Sequence, residues 1–153
     1  MIIPFFLTPK KDVIFLSDKN TMRQALERME YHRYSAIPLI DGEGKYLGTI
    51  TEGDLLWKIK NTPGLSFENT HKILLTEVPR HQKNRAVKIN ARINSLLELA
   101  KTQNFVPVVD DDEVFIGIVK RSDIIEYCVQ LLARGTLVGI DSGYPGKHSH
   151  STN

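Results

Sequence analysis

Cysteine and tryptophan each occur once among 153 residues, and charge of either sign barely dominates: twenty basic side chains face eighteen acidic ones, for a formal charge of +2. A lone Cys128 cannot close an intramolecular disulfide, so nothing requires an oxidising compartment, and the cytoplasm is the expected location. So small a charge lacks the positive field that non-specific DNA and RNA binders use, which leaves nucleic acid out of the expected partners. The apolar opening MIIPFFL is too short for a signal-peptide core, carries a proline and has no basic residue before it. It is expected to pack against the domain, with no membrane partner. The phosphate-binding patterns G-x-x-x-x-G-K-[ST] and G-x-G-x-x-G are both missing. His32, His71 and His81 lack the spacing of metal ligands or of a catalytic triad, so no metal site, catalytic residue or catalytic cofactor is expected. An enzyme is not the expectation.

What the chain does have is an internal repeat. GTITEGDLL, Gly48 to Leu56, returns in looser form as GIVKRSDII from Gly117, 69 positions later. AIPLID (Ala36 to Asp41) and FVPVVD (Phe105 to Asp110) match at the same offset. Leu55, Leu56 and Ile59 fall on Ile124, Ile125 and Cys128, so Cys128 reads as a buried small apolar residue rather than a nucleophile. Upstream, Met22, Ala25, Leu26 and Met29 trace one face of a helix, and Ile93, Leu96, Leu97 and Ala100 repeat it.

Each copy therefore predicts strand, helix, strand, turn, strand, helix: in the first, Val13 to Leu16, Thr21 to about His32, Ala36 to Ile40, a turn at Asp41 to Gly44, Tyr46 to Thr51, and Glu52 to about Asn61. Pro63 and Gly64 stop the last helix, and Thr70 to Leu75 is expected to form a further short one. The expected organisation is a first unit over 1–62 including the N-terminal segment, a linker over 63–75, a second unit over 76–134 and a flexible polar tail over 135–153. About sixty residues bury too little surface to stand alone, so two copies should pack face to face about a pseudo-twofold axis. The fold class is α/β (α+β), with one small sheet and two helices per unit. Apolar helix positions around Leu55, Leu56, Ile59, Ile124, Ile125 and Leu132 exceed what one internal contact covers, and a homodimer is expected.

Two readings of Thr51-Glu52-Gly53-Asp54 stand side by side. Locally it is close to a capping box, with Thr51 accepting from a helix-start amide and Asp54 reaching back. Alternatively, a carboxylate beside exposed helix-start amides can accept both hydroxyls of a ribose while the amides hold phosphate. The second copy keeps Asp123 but replaces the cap residue by Lys120, which has no acceptor.

RYSAIPLID followed by GTITEGDLL resembles the core signature of the cystathionine β-synthase (CBS) domain, and the tandem arrangement resembles a CBS pair, or Bateman module, over roughly residues 8 to 132. The resemblance implies a regulatory ligand sensor that binds an adenine nucleotide such as AMP, ADP or ATP and signals to a partner enzyme or channel. LLTEVPR resembles the inter-repeat segment of small CBS-pair proteins that bind cyclic di-AMP, a second reading; a structural dimerisation module without ligand is a third. Carried onto this sequence, the family's geometry combines Lys11, Val13, Tyr34, Ser35 and Ala36 with Lys120, Arg121 and Asp123 in one cleft, and Gln103, Asn104 and Phe105 with Thr51 and Asp54 in the other. The first is the better furnished in sequence, since Lys120 and Arg121 bring charge for phosphate. Phe105 could stack on a base or be core. The basic stretch PRHQKNR, Pro79 to Arg85, is a solvated loop or a phosphate rim. Replacing Asp54 or Asp123 by Ala is expected to weaken binding while leaving the fold intact.

Overall fold

The computed structural model describes residues 3–135, so all but the first residue of the expected tail lies outside the described residues. A short helix α1 (Ile3–Phe6), strand β1 (Thr8–Pro9) and a 3-10 turn (Lys10–Asp12) lead into the first copy of the repeat: β2 (Leu16–Ser17), α2 (Met22–His32), β3 (Ala36–Ile40), β4 (Tyr46–Thr51) and α3 (Glu52–Asn61). Two 3-10 turns, Phe67–Lys72 and Leu75–Glu77, precede the second copy: β5 (Val87–Lys88), α4 (Ile93–Ala100), β6 (Phe105–Val109), β7 (Phe115–Lys120) and α5 (Arg121–Ala133). The fold is mixed α/β with two small sheets, ordered β2-β3-β4 and β1-β7-β6-β5.

The repeat is visible bond by bond. β3 pairs antiparallel with β4 and β6 with β7, each with a register shift at the same place, Leu39/Ile40 and Val108/Val109. Pro38 and Pro107 sit inside these strands although proline cannot donate to a ladder. They are tolerated because β2 and β5 pair only with Leu39–Ile40 and Val108–Val109, leaving each proline beside an open edge. Asp41 N–H donates to Lys45 O and Asp110 N–H to Val114 O, both at 2.9 Å, closing equivalent turns.

Three departures from the sequence expectations have local causes. The first strand is shorter than Val13 to Leu16, because Val13 N–H turns back to Lys10 O (3.1 Å) and only Leu16 and Ser17 reach β3. β1 joins β7, so the N-terminal segment extends the second copy's sheet, a pairing with no periodic signal in two residues. The inter-repeat segment is built into the first copy: Met22 N–H donates to Ile73 O (2.8 Å) and Leu75 N–H to Asn20 O (2.9 Å), while Arg23 reaches Phe67 O and Glu68 O and lies over the Phe67 ring at 4.6 Å. Leu75 and Val78 thereby complete a core of Leu16, Met22, Ala25, Met29, Ile37, Leu39, Ile50 and Leu55.

A smaller apolar cluster of Val13, Ile40 and Phe115, flanked by Phe15, Tyr46 and Ile118, joins the two copies. On the axis, Lys45 bridges Val114, Phe115 N–H donates to Gly44 O (2.9 Å), and Asn104 Nδ2 donates to Ser35 Oγ (3.2 Å). Contacts divide the chain after Arg121, and the described part of the second unit is the remainder of α5. On that helix Ile124 is buried, Ile125, Val129 and Leu132 are exposed, and Cys128 is half-buried rather than buried as expected. Leu55 is core rather than surface, which leaves Leu56 and Trp57 as the exposed apolar pair of α3.

Candidate functional site

The start of α3 forms the capping box. Thr51 Oγ1 accepts from Asp54 N–H (3.2 Å) and Asp54 Oδ2 accepts from Thr51 N–H (3.0 Å), which satisfies helix-start amides that have no partner within the helix. Asp54 is 2% exposed, and its other oxygen, Oδ1, accepts from His81 N–H at 2.9 Å. Both carboxylate oxygens are therefore engaged by main-chain amides, one of them within the helix cap and one from the 79–85 segment. Asp54 thus fastens the basic segment 79–85 over the helix start.

That segment is pinned at several further points. Gln82 Nε2 donates to Thr102 O (2.8 Å). Gln103, 3% exposed, accepts from Arg85 N–H (2.7 Å) and donates to Arg85 O (3.1 Å) and Phe105 O (3.3 Å). The Tyr46 hydroxyl meets Thr49 Oγ1 at 2.7 Å and donates to Asn84 O at 3.4 Å. Burial pushes the Tyr46 phenol up to about 12, against the opposing pull of the Thr49 hydrogen bond and the Arg80 charge. Arg80 lies over Gly48, where a Cβ would stand 2.7 Å from Nε. Glycine there leaves room for the Arg80 side chain to approach the strand.

Between this segment and the first residues of the GTITEGD motif lies a cavity of about 510 Å³ lined by Gly48, Thr49, Arg80, Gln82, Lys83 and Asn84, with Leu47, Thr76, Val78 and Pro79. The volume falls within the range of small-molecule sites, ~300–1,000 Å³. Its lining carries two cations and no acid. A polyanionic ligand with hydroxyl or amino groups matches such a wall.

The predicted site residues divide by neighbourhood. Each helix start is tied to the strand start of its own copy, Glu52 N–H to Ser35 O and Arg121 N–H to Asn104 O, both 3.0 Å. Thr51 pairs with Ala36 across β3 and β4, and Lys120 with Phe105 across β6 and β7. Arg121 Nε donates to Gln103 O (3.0 Å), so one arm of its fork is engaged. Across the copies, Ser35 meets Asn104. Lys11 is exposed within the 3-10 turn Lys10–Asp12, and Val13 is buried in the cluster that joins the copies. Tyr34 is exposed and stacks on His32 at 5.4 Å. Phe105 is 8% exposed, which gives the core alternative its support and leaves little ring face for a base. Asp123 stands half-buried in the first turn of α5. The sequence offers the 79–85 stretch as a solvated loop or a rim and does not single out Tyr46, Thr49 or Asn84 near it; Thr49, a polar residue between buried Gly48 and Ile50, is the one that left a trace. Among the described residues there is no cluster of three or more His, Cys, Asp or Glu side chains able to hold a metal, and no helix long and apolar enough to cross a membrane.

Comparison with known proteins places this geometry. Over 118 residues the chain is 29% identical to inosine-5'-monophosphate dehydrogenase of Methanocaldococcus jannaschii, an alignment taking in 76% of this chain but 22% of that enzyme. It superposes on CbpB of Listeria monocytogenes, solved in complex with c-di-AMP, with a TM-score of 0.75 and 22% identity over 87% of this chain and 98% of that one. CBSX2, solved in complex with AMP, gives a TM-score of 0.67 at 21% identity over 84% and 96% of the two chains. Residues 6–61 and 81–130 each match the CBS domain. With two matches at the two copies of its repeat, the chain belongs to the CBS domain family as a tandem pair.

Proposed function

We propose that this chain is a regulatory module that binds an adenine nucleotide and passes its occupancy to a partner enzyme or channel. The observation that carries the reading is the cavity at the start of GTITEGD, whose lining includes Arg80 and Lys83 with Gly48 and Thr49, in the motif that runs on into the Thr51–Asp54 helix start. In this reading Arg80 and Lys83 neutralise phosphate, and Thr51 and Asp54 turn toward ribose, each Asp54 oxygen having a second lone pair beyond the one given to an amide. Gln103, Asn104 and Phe105 form the supporting wall. The second copy's counterpart is assigned from the repeat: Lys11, Val13, Tyr34, Ser35 and Ala36 with Lys120, Arg121 and Asp123. The module acts without catalysis, as a cytoplasmic homodimer.

Cyclic di-AMP is the second reading, favoured by the match to c-di-AMP-bound CbpB over 98% of that chain. Purified protein examined for excess absorbance at 260 nm, followed by mass spectrometry of the released ligand, tests both. AMP, ADP or ATP supports the first reading and cyclic di-AMP the second. Failure of calorimetry to detect either class on nucleotide-free protein would leave a structural dimerisation module.

A further inference from the structure

The Asp54 carboxylate, which the functional reading above gives to ribose, is closed to a ligand in this conformation. Asp54 is 2% exposed, with Thr51 N–H on one oxygen and His81 N–H on the other. Among the described residues neither Thr51 nor Asp54 lines the cavity, whose lining on the motif side runs from Leu47 to Thr49. One ligand cannot hold both the cavity's cations and that carboxylate unless part of the chain moves.

The part built to move is the segment that covers the helix start. Its ends are fixed: Val78 is 2% exposed in the core of the first copy, and Arg85 is clasped through both its N–H and its C=O by the buried Gln103 amide. Between those anchors residues 79–83 are exposed, and no main-chain group of 79–84 pairs with another main-chain group. Mid-span the segment is held by His81 N–H on Asp54 Oδ1 (2.9 Å), by Gln82 Nε2 on Thr102 O (2.8 Å) and by Arg80 over Gly48. A stretch with exposed backbone and so few bonds opens locally while the rest stays folded. We infer that residues 79–84 are a strap latched by the His81 amide, and that lifting it uncovers Asp54 and joins the helix start to the cavity. The inference rests on the functional reading above. The latch is an inhibitory contact, since the His81 amide occupies the carboxylate that ribose would use, and the apparent affinity falls by the fraction of molecules in which the strap is open.

Hydrogen exchange on ligand-free protein tests the strap by itself. The His81 amide should exchange at least about tenfold faster than the amides of the β3–β4 ladder, at a rate that low urea leaves unchanged. Exchange of that amide only together with the ladder, by global unfolding, overturns the strap with the nucleotide reading intact. Calorimetry with AMP and with cyclic di-AMP tests the latch. His81→Pro, which removes the N–H donor, and Gln82→Ala, which frees the strap's second hydrogen bond, should each bind about five- to tenfold more tightly than the parent. His81→Ala, which keeps the N–H, should bind like the parent. Residues that merely held the fold would weaken binding when replaced, so tighter binding is the mark of a latch. Affinity unchanged or weakened in both His81→Pro and Gln82→Ala, or an equal gain in His81→Ala and His81→Pro, overturns the latch and leaves the nucleotide reading standing. Binding of neither ligand by any of the four proteins overturns the functional reading, and the inhibitory contact with it.

Discussion

Replacing Asp54 by Ala should unfold the protein more readily as well as weaken its ligand. From sequence the substitution is expected to spare the fold, since a surface carboxylate that reads a ribose can be removed at little cost. The structure places that carboxylate at 2% exposure with the amides of Thr51 and His81 on its two oxygens. Hydrogen bonds to a charged group contribute about 1.5–3 kcal/mol each, and the first of these is also the return half of a helix cap. Because the two share one carboxylate they do not add fully, and we expect Asp54→Ala to cost about 3–4 kcal/mol. Against a domain stability of ~5–15 kcal/mol that is a large fraction. Asp54→Asn keeps one acceptor and turns its amino group against the other amide, so an intermediate loss is expected. Urea denaturation followed by tryptophan fluorescence suits the measurement, because Trp57 is the sole tryptophan and a Cβ on Gly53 would stand 3.6 Å from its indole nitrogen. Asp123→Ala, at a half-buried position, is the internal control and should cost less than about 1 kcal/mol. Equal losses for the two alanine variants, or less than about 1 kcal/mol for Asp54→Ala, would refute the structural role.

Gly117→Ala should destabilise severely and Gly48→Ala by only about 1–2 kcal/mol, although the two are repeat-equivalent with φ near +155°: a Cβ at Gly117 strikes the Thr8 backbone carbonyl, and one at Gly48 meets only the movable Arg80 side chain. Denaturation midpoints showing equal losses would contradict this. With its folded pKa at about 12, Tyr46 keeps its proton where the unfolded chain loses it, so its contribution is fully present below pH 10 and falls by up to ~1.4 kcal/mol per unit between pH 10 and 12. Stability measured across that range should lose this slope in Tyr46→Phe. Phosphorylated adenosine should bind far more tightly than adenosine itself, and the gap should narrow with added salt and in Arg80→Ala, Lys83→Ala or Arg121→Ala; calorimetry finding equal loss for both ligands would make these residues shape-holders. Light scattering should report a homodimer, and if the exposed Leu56 and Trp57 of α3 contribute to its interface, Leu56→Lys should yield a monomer.

The elements of the first copy from α2 to α3 were legible because their signals are periodic and reinforced: the observed bounds Met22–His32, Ala36–Ile40, Tyr46–Thr51 and Glu52–Asn61 follow an apolar pattern that occurs twice. β1 escaped because a two-residue strand has no period, and the docking of the inter-repeat segment because it depends on where Arg23 and Asn20 stand in three dimensions. At the candidate site, the basic side chains of the 79–85 segment could be read in PRHQKNR, as a solvated loop or a rim. Which atoms were engaged could not. The Gln103–Arg85 pairing and the Tyr46–Asn84 bond join residues 18 and 38 positions apart.

The doubled motif has two kinds of position, and their divergence has different causes. Off the axis, the backbone bonds that seat each helix start, Glu52 to Ser35 and Arg121 to Asn104, are the same in both copies at 3.0 Å, so the scaffold is common while the side chains around it, Thr51 and Lys120, are free to differ. On the axis a residue meets its own counterpart. Lys45 bridges Val114 and Ser35 meets Asn104, each pair 69 residues apart. A strict repeat would set Lys against Lys there, and like charges directly opposite in a ladder repel. Ser35 and Asn104 instead make a donor and acceptor pair that joins the two strand starts. Axis positions are thus driven apart by packing against themselves, and the Thr51 and Lys120 pair, which carries no such pressure, is where, under the proposed function, a difference between the two copies would bear on the ligand.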